Sequence, residues 1–262
     1  MENIFILGII MFIIATFMAM VGKGGGNFYL LAMISAGVSM THAATTSQLI
    51  MMTTAGVSML VFNKSKRIDW KLALIIDPAT DLMAFVGGYL AGGFDDYLLK
   101  LIFAGVLIVV SFFMFLPVKE RKISSVNKFG YWKREFNGYH YIVNLWFAIP
   151  IAAITGFFAG AIGISGGSFK VPLMVLACGV PITVAVGTSS AMVAVTALTG
   201  FLGHSFHGDI NLGLSIPLAL IAVIGGIVGS RTAINIESKN LKSVFALINT
   251  AAAIFMIVNI LN

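Results

Sequence analysis

The hydrophobic positions of this chain fall into long runs, and the polar residues are gathered between them. Most runs hold about 20 apolar residues, the length at which an α-helix crosses the ~30 Å hydrocarbon core of a bilayer. The runs do not alternate with period two, which argues against a β-barrel. The pattern predicts helical spans at 4–21, 41–62, 71–94, 97–116, 141–162, 182–202, 212–232 and 241–261.

Two glycine-rich stretches interrupt this pattern, the first break at 22–28 and the second break at 163–169. Each is followed by a short apolar arm, at 27–38 and 169–180, of about 12 residues; as a helix this is ~18 Å, too short to span. In hydrocarbon, irregular backbone persists only where it is buried in protein or lines a wet cavity. Each break therefore predicts a glycine-broken helix followed by a half-helix or re-entrant arm.

The second half of the chain repeats the plan of the first. Gly22 and Gly163 are 141 residues apart, whereas Thr46 and Thr188 are 142 apart. The same spacing of 142 separates further matching blocks near the end of each half. One residue inserted in the second arm accounts for the step. Agreement over several separated blocks indicates an internal duplication rather than chance similarity between two glycine-rich apolar chains.

Lysine and arginine residues mark the cytoplasmic loops of a membrane protein. Lys64, Lys66 and Arg67 place the first loop inside, and the basic linker at 117–140 also lies inside. The loop at 204–209 has no Lys or Arg and is expected outside, so equivalent loops face opposite sides. The predicted fold is an all-α polytopic membrane protein of two inverted repeats with about five helical elements each, at 1–116 and 141–262, with both termini outside.

The composition supports this class and excludes others. The chain has 262 residues, of which 59% are hydrophobic and 10% charged, while a soluble domain carries about 25% charged residues. The net charge of +6 is explained by basic loops at a membrane, so no nucleic-acid partner is expected. One cysteine and four scattered histidines make a metal site unexpected. We expect no cofactor, a plasma (inner) membrane location, and the lipid bilayer and a small anion as partners; a homodimer stays open.

The start of a half-helix offers unpaired N–H groups and about half a positive charge. Two such starts in inverted repeats are expected to converge near the bilayer midplane and hold one anion. The alternative is that the glycines allow close helix packing, the role we assign to isolated pairs such as Gly225 and Gly226. The candidate binding residues at the two breaks are Lys23, Gly24, Gly25, Gly26, Asn27, Ser165, Gly166, Gly167 and Ser168.

Hydroxyl side chains recur in the first two turns of two matching helices. Because hydroxyls donate hydrogen bonds without adding charge, they suit a tetrahedral oxyanion or a sulfonate. Ordinary Ser and Thr bonding between helices is the alternative. These candidate residues are Thr45, Thr46, Ser47, Gln48, Thr188, Ser189 and Ser190.

A few charged residues fall within the apolar runs. Buried charge in a membrane is expensive, so Lys23 is a candidate for function by default. Asp77 and Asp81 lie four apart on one helix face and have no acidic counterparts in the second half. They are expected either to pair with Lys23 as a structural ion pair or to carry protons that couple transport. Lys170 is a further candidate, with snorkelling to the interface as the alternative.

These motifs together resemble the TauE/SafE sulfite exporter family. The resemblance rests on the first break, Gly187-Thr188-Ser189, Gly208-Asp209-Ile210 and the glycine-rich helix at 225–229, and it covers nearly the whole chain. It implies transport of sulfite, sulfonates or related organosulfur anions across the plasma membrane without ATP. Lys23 and the Asp77/Asp81 pair depart from the family pattern. The resemblance thus implies a secondary transporter, an exporter rather than an enzyme, and the two breaks with Asp77 and Asp81 add the hypothesis of alternating access with possible coupling to protons.

Two other readings are open at this stage. A passive anion channel also uses helix ends and polar rings, so the sequence does not separate it from a carrier. An intramembrane serine protease is suggested by Gly163-Ile164-Ser165-Gly166 with His204 or His207 as base. Both histidines are expected in a loop, away from membrane depth, which disfavours the hydrogen-bond reach that a nucleophile and its base need.

Overall fold

The part of the chain that the structure describes is mostly helical and includes a short β-hairpin. The structure is a computed structural model, and it describes residues 2–38, 40–90, 105, 108, 112, 129–162, 167–205 and 212–261. The helices are α1 (Glu2–Val21), α2 (Gly26–Ser35), α3 (Met40–Lys64), α4 (Trp70–Leu90), α5 (Leu145–Ile162), α6 (Gly167–Pro172), α7 (Ile182–Ser205), α8 (Leu212–Asn235) and α9 (Ser238–Leu261).

Several of these helices have the length and composition of membrane spans. Within the described ranges, three contain such a segment: Thr45–Lys64 of α3, Ile182–Thr199 of α7 and the whole of α8. Shorter apolar segments lie in α1, α5 and α6. The predicted helical membrane protein is therefore confirmed in outline. The span predicted at 97–116 lies outside the described residues, apart from positions 105, 108 and 112.

The helices group into two compact units, each built from both halves of the sequence. Unit 1 comprises Met1–Ile68 and Val186–Asn235. Within it, α1 and α3 pack against α8, and α2 packs against α3. A side chain at Gly225 or Gly229 would collide with the backbone of α1, so these glycines allow the close approach of α8, as expected for small residues between membrane helices.

Unit 2 comprises Asp69–Ala185 and Ile236–Asn262. Here α4 packs along α5, and a side chain at Gly156 of α5 would collide with the backbone of Thr80 in α4. The short α6 continues into a π-helical turn at Leu173–Ala177. The Cys178 N–H donates to the carbonyl oxygen of Leu173, five residues back, at 3.3 Å. The second arm is thus a six-residue helix followed by a widened turn.

The boundaries of the helices recur at the spacing of the sequence repeat. α1 and α5 end at residues 21 and 162, and α2 and α6 begin at 26 and 167, in both cases 141 apart. α3 and α7 begin at 40 and 182, and α4 and α8 at 70 and 212, in both cases 142 apart. Under this correspondence the packed pair α1 and α8 of unit 1 matches the packed pair α5 and α4 of unit 2.

The end of the predicted linker and the start of the following predicted helix form a β-hairpin. Strand β1 (Tyr131–Phe136) pairs antiparallel with β2 (Tyr139–Asn144), with Tyr131 opposite Asn144. The connecting Asn137 and Gly138 both have positive φ, 49° and 79°, which is the type I′ geometry that favours a two-residue hairpin turn. The expectation of a helix from Tyr141 is wrong: α5 begins at Leu145. The chain is therefore mostly helical and not all-α.

Candidate functional site

The first break is a sharp, buried turn between α1 and α2. Gly22, Gly24 and Gly25 have φ of 68°, 74° and 79°, conformations that glycine adopts without the steric penalty of other residues. The Lys23 N–H donates to Met18 O at 3.1 Å and the Phe28 N–H to Gly25 O at 3.0 Å. Within unit 1 the break is therefore enclosed by protein, the condition under which irregular backbone persists at membrane depth.

The glycines of the break also allow neighbouring helices to approach closely. A Cβ on Gly22 would collide with the carbonyl oxygen of Val186, near the start of α7. A Cβ on Gly24 would lie 2.8 Å from Cγ of Met51 on α3. Only residues without a side chain fit at these two positions, so sequence and packing agree on the glycines here.

Lys23 is the one charged side chain of the first break, and it is only 2% exposed. It directly precedes the glycines that lead into α2, where helix geometry leaves the first N–H groups without intrahelical partners. The sequence of unit 1 has five basic residues, and its only acidic residues are Glu2 and Asp209. Lys23 therefore lies beside a helix start, where the helix dipole places partial positive charge.

The hydroxyls predicted at this depth are buried within unit 1, and several are engaged. Ser189 Oγ donates to the carbonyl oxygen of Gly22 at 2.7 Å, so α7 contacts the first break directly. Thr46 Oγ1 and Ser215 Oγ, on α3 and α8, share a hydrogen bond of 2.7 Å. Ser190 Oγ donates to Val186 O in its own helix at 3.0 Å. The hydroxyls of Thr46 and Ser189 therefore bond to neighbouring elements, which is the alternative to substrate binding given from the sequence.

Further predicted residues lie in the same two helices. Thr45, Ser47 and Thr188 are buried. Gln48 is partly buried, and its Oε1 atom is enclosed and accepts no hydrogen bond from any residue that the structure describes. Asn27 lies in the first turn of α2, and its side chain lies outside the described part. Ser215, the partner of Thr46, was not predicted from the sequence.

The second break is described only in part. Ser165, the serine of the protease reading, and Gly166 lie outside the described residues. Gly167 begins α6 and is buried, and Ser168 is partly buried. α7 continues to Ser205, so His204 lies in a helix rather than in the expected loop, while His207 lies outside the described residues. The expected convergence of the two breaks stays a prediction.

Asp77 and Asp81 lie beside Lys170, the further candidate named from the sequence. Lys170 Nζ on α6 donates to Asp77 Oδ1 at 2.5 Å and lies 3.7 Å from Asp81 Oδ1. Its side chain is only 2% exposed, so the alternative of snorkelling to the interface does not hold for this candidate. The predicted partner of the two carboxylates was Lys23, whereas the contact observed within unit 2 is with Lys170.

A second buried carboxylate fastens the hairpin to the start of α4, outside the spanning part of the helix. Arg134 donates to Asp69 through Nε at 2.7 Å and through a terminal nitrogen at 2.8 Å. The hydroxyl of Tyr141 also donates to Asp69, and the Leu72 N–H donates at 3.2 Å. Burial alone raises the pKa of Asp69, but the bonds from Arg134, Tyr141 and Leu72 outweigh it and hold that pKa below its usual value.

The same contacts shift the pKa of the partners in the opposite sense. The hydrogen bond to Asp69 raises the pKa of Arg134. Burial, together with the bond to the carboxylate, raises the pKa of Tyr141 above its usual range. All three groups therefore keep one protonation state near neutral pH, and the cluster acts as a structural clasp between hairpin and helix.

The described residues combine buried polar side chains with apolar helices. They include no group of three or more His, Cys, Asp or Glu side chains placed to hold a metal ion. They do include a buried ammonium, glycine backbone and buried hydroxyls at the first break. Apolar helices of spanning length, a broken helix and charged groups buried among them define the class of membrane transporters.

The particular family is identified by comparison with known proteins. A model of the family described as "Sulfite exporter TauE/SafE" matches residues 7–256. The chain belongs to the TauE/SafE sulfite exporter family.

Relatives with full-length similarity have transporter names. "Probable membrane transporter protein YunE" of Bacillus subtilis is 27% identical over 256 residues, covering 93% of both chains. "Probable membrane transporter protein MJ0441" of Methanocaldococcus jannaschii is 28% identical over 248 residues, covering 89% of this chain and 86% of the relative. A "Probable membrane transporter protein" of Xylella fastidiosa is 25% identical over 243 residues, covering 89% and 88%. No solved structure matches the chain.

Proposed function

We propose that this protein is a secondary transporter that exports a small anion, namely sulfite, a sulfonate or a related organosulfur anion. The observation that carries this proposal is Lys23, whose side chain is buried inside unit 1 among the glycines of a broken helix, directly before the start of α2. Anions bind where backbone N–H groups, a helix start and a cation meet. The family description speaks of sulfite export, which supports a sulfur oxyanion as the substrate.

The proposed binding residues are those at the two breaks and the hydroxyls beside them. At the first break we assign the anion to the N–H groups of Gly24, Gly25, Gly26 and Asn27 and to the Lys23 ammonium. Ser189 donates to Gly22 O, and its oxygen keeps lone pairs for accepting but no second proton to donate. Its proposed role is therefore to hold the break in shape, while Thr45, Ser47, Thr188 and Gln48 are the polar groups assigned to the substrate.

The proposed mechanism is alternating access by two inverted repeats, with a proton taken up or released at Asp77 or Asp81. Support comes from the recurrence of helix boundaries at 141 and 142 residues. Gly37 and Gly179, which are 142 apart and lie near the ends of the two arms, also both have positive φ, 84° and 68°. We further propose a plasma-membrane location with both termini outside and the linker at 117–140 in the cytoplasm.

Binding is tested with purified protein and a panel of sulfite, sulfate, thiosulfate, taurine and carboxylates. A ligand that binds only the folded state raises the melting temperature. Replacing Lys23 by Met should weaken binding by roughly ten- to a hundredfold, the value of a charge-assisted hydrogen bond. Lys64→Met, which changes an exposed lysine at the end of α3, is the matched control. Equal affinity of Lys23→Met and Lys64→Met for the anion would show that Lys23 is not part of the binding site.

Transport is tested in proteoliposomes loaded with the anion that binds. A carrier exchanges unlabelled for labelled anion in a saturable way, so unlabelled anion inside the proteoliposomes drives transient accumulation of label supplied outside. A channel instead gives flux that rises linearly with concentration and shows no counterflow. Linear flux would show that the protein is a channel and not a carrier. The assignment of an anion as the transported solute would be unchanged.

A further inference from the structure

The β-hairpin of unit 2 is fastened to the first residues of two helices. At α5, the Leu145 N–H donates to the carbonyl oxygen of Gly130 at 2.8 Å. At α4, Arg134 and Tyr141 on the two strands both donate to the carboxylate of Asp69, the residue before the helix. The hairpin thus joins the start of α4 to the start of α5.

These two helices run in the same direction and begin at one level. A side chain at Gly156 would meet the backbone of Thr80, and these residues lie 11 and 10 positions after the first residues of α5 and α4, which is about 16 Å along each axis. In an antiparallel pair with this contact, the two starts would be about 30 Å apart. Tyr141, four residues before α5, could not then reach Asp69 beside the start of α4.

The hairpin extends across the two helix ends. From Gly130, beside α5, to Arg134, beside α4, the strand covers about 13 Å, and the axes of packed helices are about 8–10 Å apart. A hairpin that continued along the helix axes would carry Arg134 and Tyr141 too far from Asp69 for hydrogen bonds. The strands therefore run across the axes of α4 and α5, which for helices that cross a bilayer is along the membrane surface.

The two faces of the hairpin differ in chemistry. Side chains two apart on a strand, and those directly opposite across the pair, lie on one face, so Arg134 and Tyr141 mark the face turned toward the helix starts. This aromatic face consists of Trp132, Arg134, Phe136, Tyr139, Tyr141 and Val143. Its guanidinium is paired with Asp69 and lies 5.4 Å and 5.9 Å from the ring centroids of Trp132 and Phe136. The opposite face consists of Tyr131, Lys133, Glu135, His140, Ile142 and Asn144.

Exposed apolar side chains of α4 and α5 begin at the level of the hairpin. Trp70 and Trp146, at the two helix starts, are exposed, and so are Leu74 and Phe147, which follow them. In a membrane protein such apolar side chains face hydrocarbon, and Trp at a helix end lies in the headgroup layer. The boundary between lipid and water therefore passes by the two helix starts, where the hairpin lies.

We infer that the hairpin lies in the headgroup layer of the bilayer, with its aromatic face on the lipid. Trp132 and Phe136 are only partly buried, and Tyr139 is exposed, so the aromatic face extends beyond the helix ends that it covers. Aromatic rings favour the membrane–water boundary, and an element with one apolar and one charged face lies flat in it. The partner of this face is a lipid surface. The inference is independent of the solute that the protein transports.

Two neighbouring residues on opposite faces test the orientation in the full-length protein in nanodiscs. Cys178, the only cysteine of the chain, is replaced by Ala, and Phe136→Cys or Glu135→Cys then carries a nitroxide label. Oxygen is enriched in lipid, whereas a nickel chelate stays in water. Relative to the chelate, oxygen should relax the label at 136 several-fold more strongly than the label at 135. Equal access of the chelate to both labels would place the hairpin in water, and exclusion of both reagents at 136 would place the aromatic face against protein; either result overturns the inference.

A second measurement keeps the native hairpin and cysteine. Trp70→Phe combined with Trp146→Phe leaves Trp132 as the one tryptophan, since the chain has three. Lipids with a spin label on the headgroup should quench its fluorescence more strongly than lipids labelled near the end of the acyl chain. The reverse order, or quenching by aqueous iodide without quenching by the headgroup label, would overturn the inference.

Discussion

The hydroxyl of Ser189 donates a hydrogen bond of 2.7 Å to the carbonyl oxygen of Gly22. Ser189 lies on α7, in the second half of the chain, and Gly22 opens the first glycine break. Both groups are buried within unit 1. A helix of the second half therefore donates a hydrogen bond to a backbone carbonyl at the point where the helix of the first half is broken. The geometry of the first break depends on this contact as well as on its own glycines.

Replacing Ser189 by Ala is expected to destabilise the protein by about 1–3 kcal/mol, because it leaves a buried carbonyl oxygen without its donor. The melting temperature in detergent, measured with and without anion, checks this. Thr196→Val is the matched control: its hydroxyl donates within its own helix to Met192 O, so its loss orphans no carbonyl. Similar melting temperatures for both variants would show that the contact with Gly22 adds nothing.

Replacing Gly22 by Ala is expected to destabilise the protein by several kcal/mol. The new Cβ would meet the Val186 carbonyl, and a φ of 68° is unfavourable for alanine. Gly56→Ala is the control, since a Cβ there meets nothing within 4 Å and alanine favours a helix by up to about 1 kcal/mol. Thermal unfolding of the two variants should therefore shift in opposite directions. A tolerated Gly22→Ala would mean that α7 can move away from the break.

Removing the carboxylate of Asp69 is expected to change how stability depends on pH. The pKa of Asp69 is lower in the folded protein than the ~3.9 of an unfolded chain. Its contribution is therefore fully present above about pH 4 and is lost as the pH falls through the folded pKa. Asp69→Asn should lower stability by about 2 kcal/mol at neutral pH, and the difference from the native protein should shrink in acid. Melting curves at a series of pH values check this.

Arg134→Lys gives an independent check of the same clasp. A lysine keeps the charge but not the paired donation through two nitrogens. It should lose part of the neutral-pH stability and retain the acid dependence, because Asp69 still has a cation beside it. An acid dependence that is unchanged in Asp69→Asn would assign it to other carboxylates.

The bond between Thr46 and Ser215 joins α3 to α8 and is open to a double-mutant cycle. Thr46→Val and Ser215→Ala each remove one hydroxyl, and the double variant removes both. Because the two oxygens are 2.7 Å apart, the single changes should couple by about 0.5–1.5 kcal/mol in unfolding free energy. The cycle with Thr53→Val, whose hydroxyl donates to Ile50 O within α3, serves as the control and should be additive with Ser215→Ala.

The positions of the helices could be predicted from the sequence because hydrophobic runs and glycine signals act locally. The first break is a clear case: only glycine adopts the conformation at Gly22 and Gly24 readily, so three glycines in an apolar run indicate a turn. The recurrence of hydroxyl residues in two matching predicted helices likewise located the hydroxyls of α3 and α7. The partner of a hydroxyl or charge, by contrast, depends on packing between distant helices, and hence Ser215 and the role of Lys170 were not predicted.

The hairpin was missed although its signal is present in the sequence. Asn137-Gly138 lies between two segments of β-branched and aromatic residues, which is a strong local indication of a two-residue hairpin turn. The basic charge of the region favoured a polar linker instead. A pattern of alternating exposure along β1 distinguishes the two readings, and Tyr131, Lys133 and Glu135 show it. The same strand carries Arg134, so the clasp at Asp69 was missed together with the hairpin.

The π-helical turn at Leu173–Ala177 explains the change in spacing between the repeats. Before it, matching helix boundaries differ by 141 residues, and after it by 142. A π turn closes its hydrogen bond over five residues rather than four, so it absorbs one additional amino acid without displacing the next helix. The extra residue is stored as a bulge, and α7 keeps the same starting point relative to its counterpart α3. Deleting a single residue from this turn would be expected to give the second arm the same length as the first. Matching positions of the two halves would then have one constant spacing.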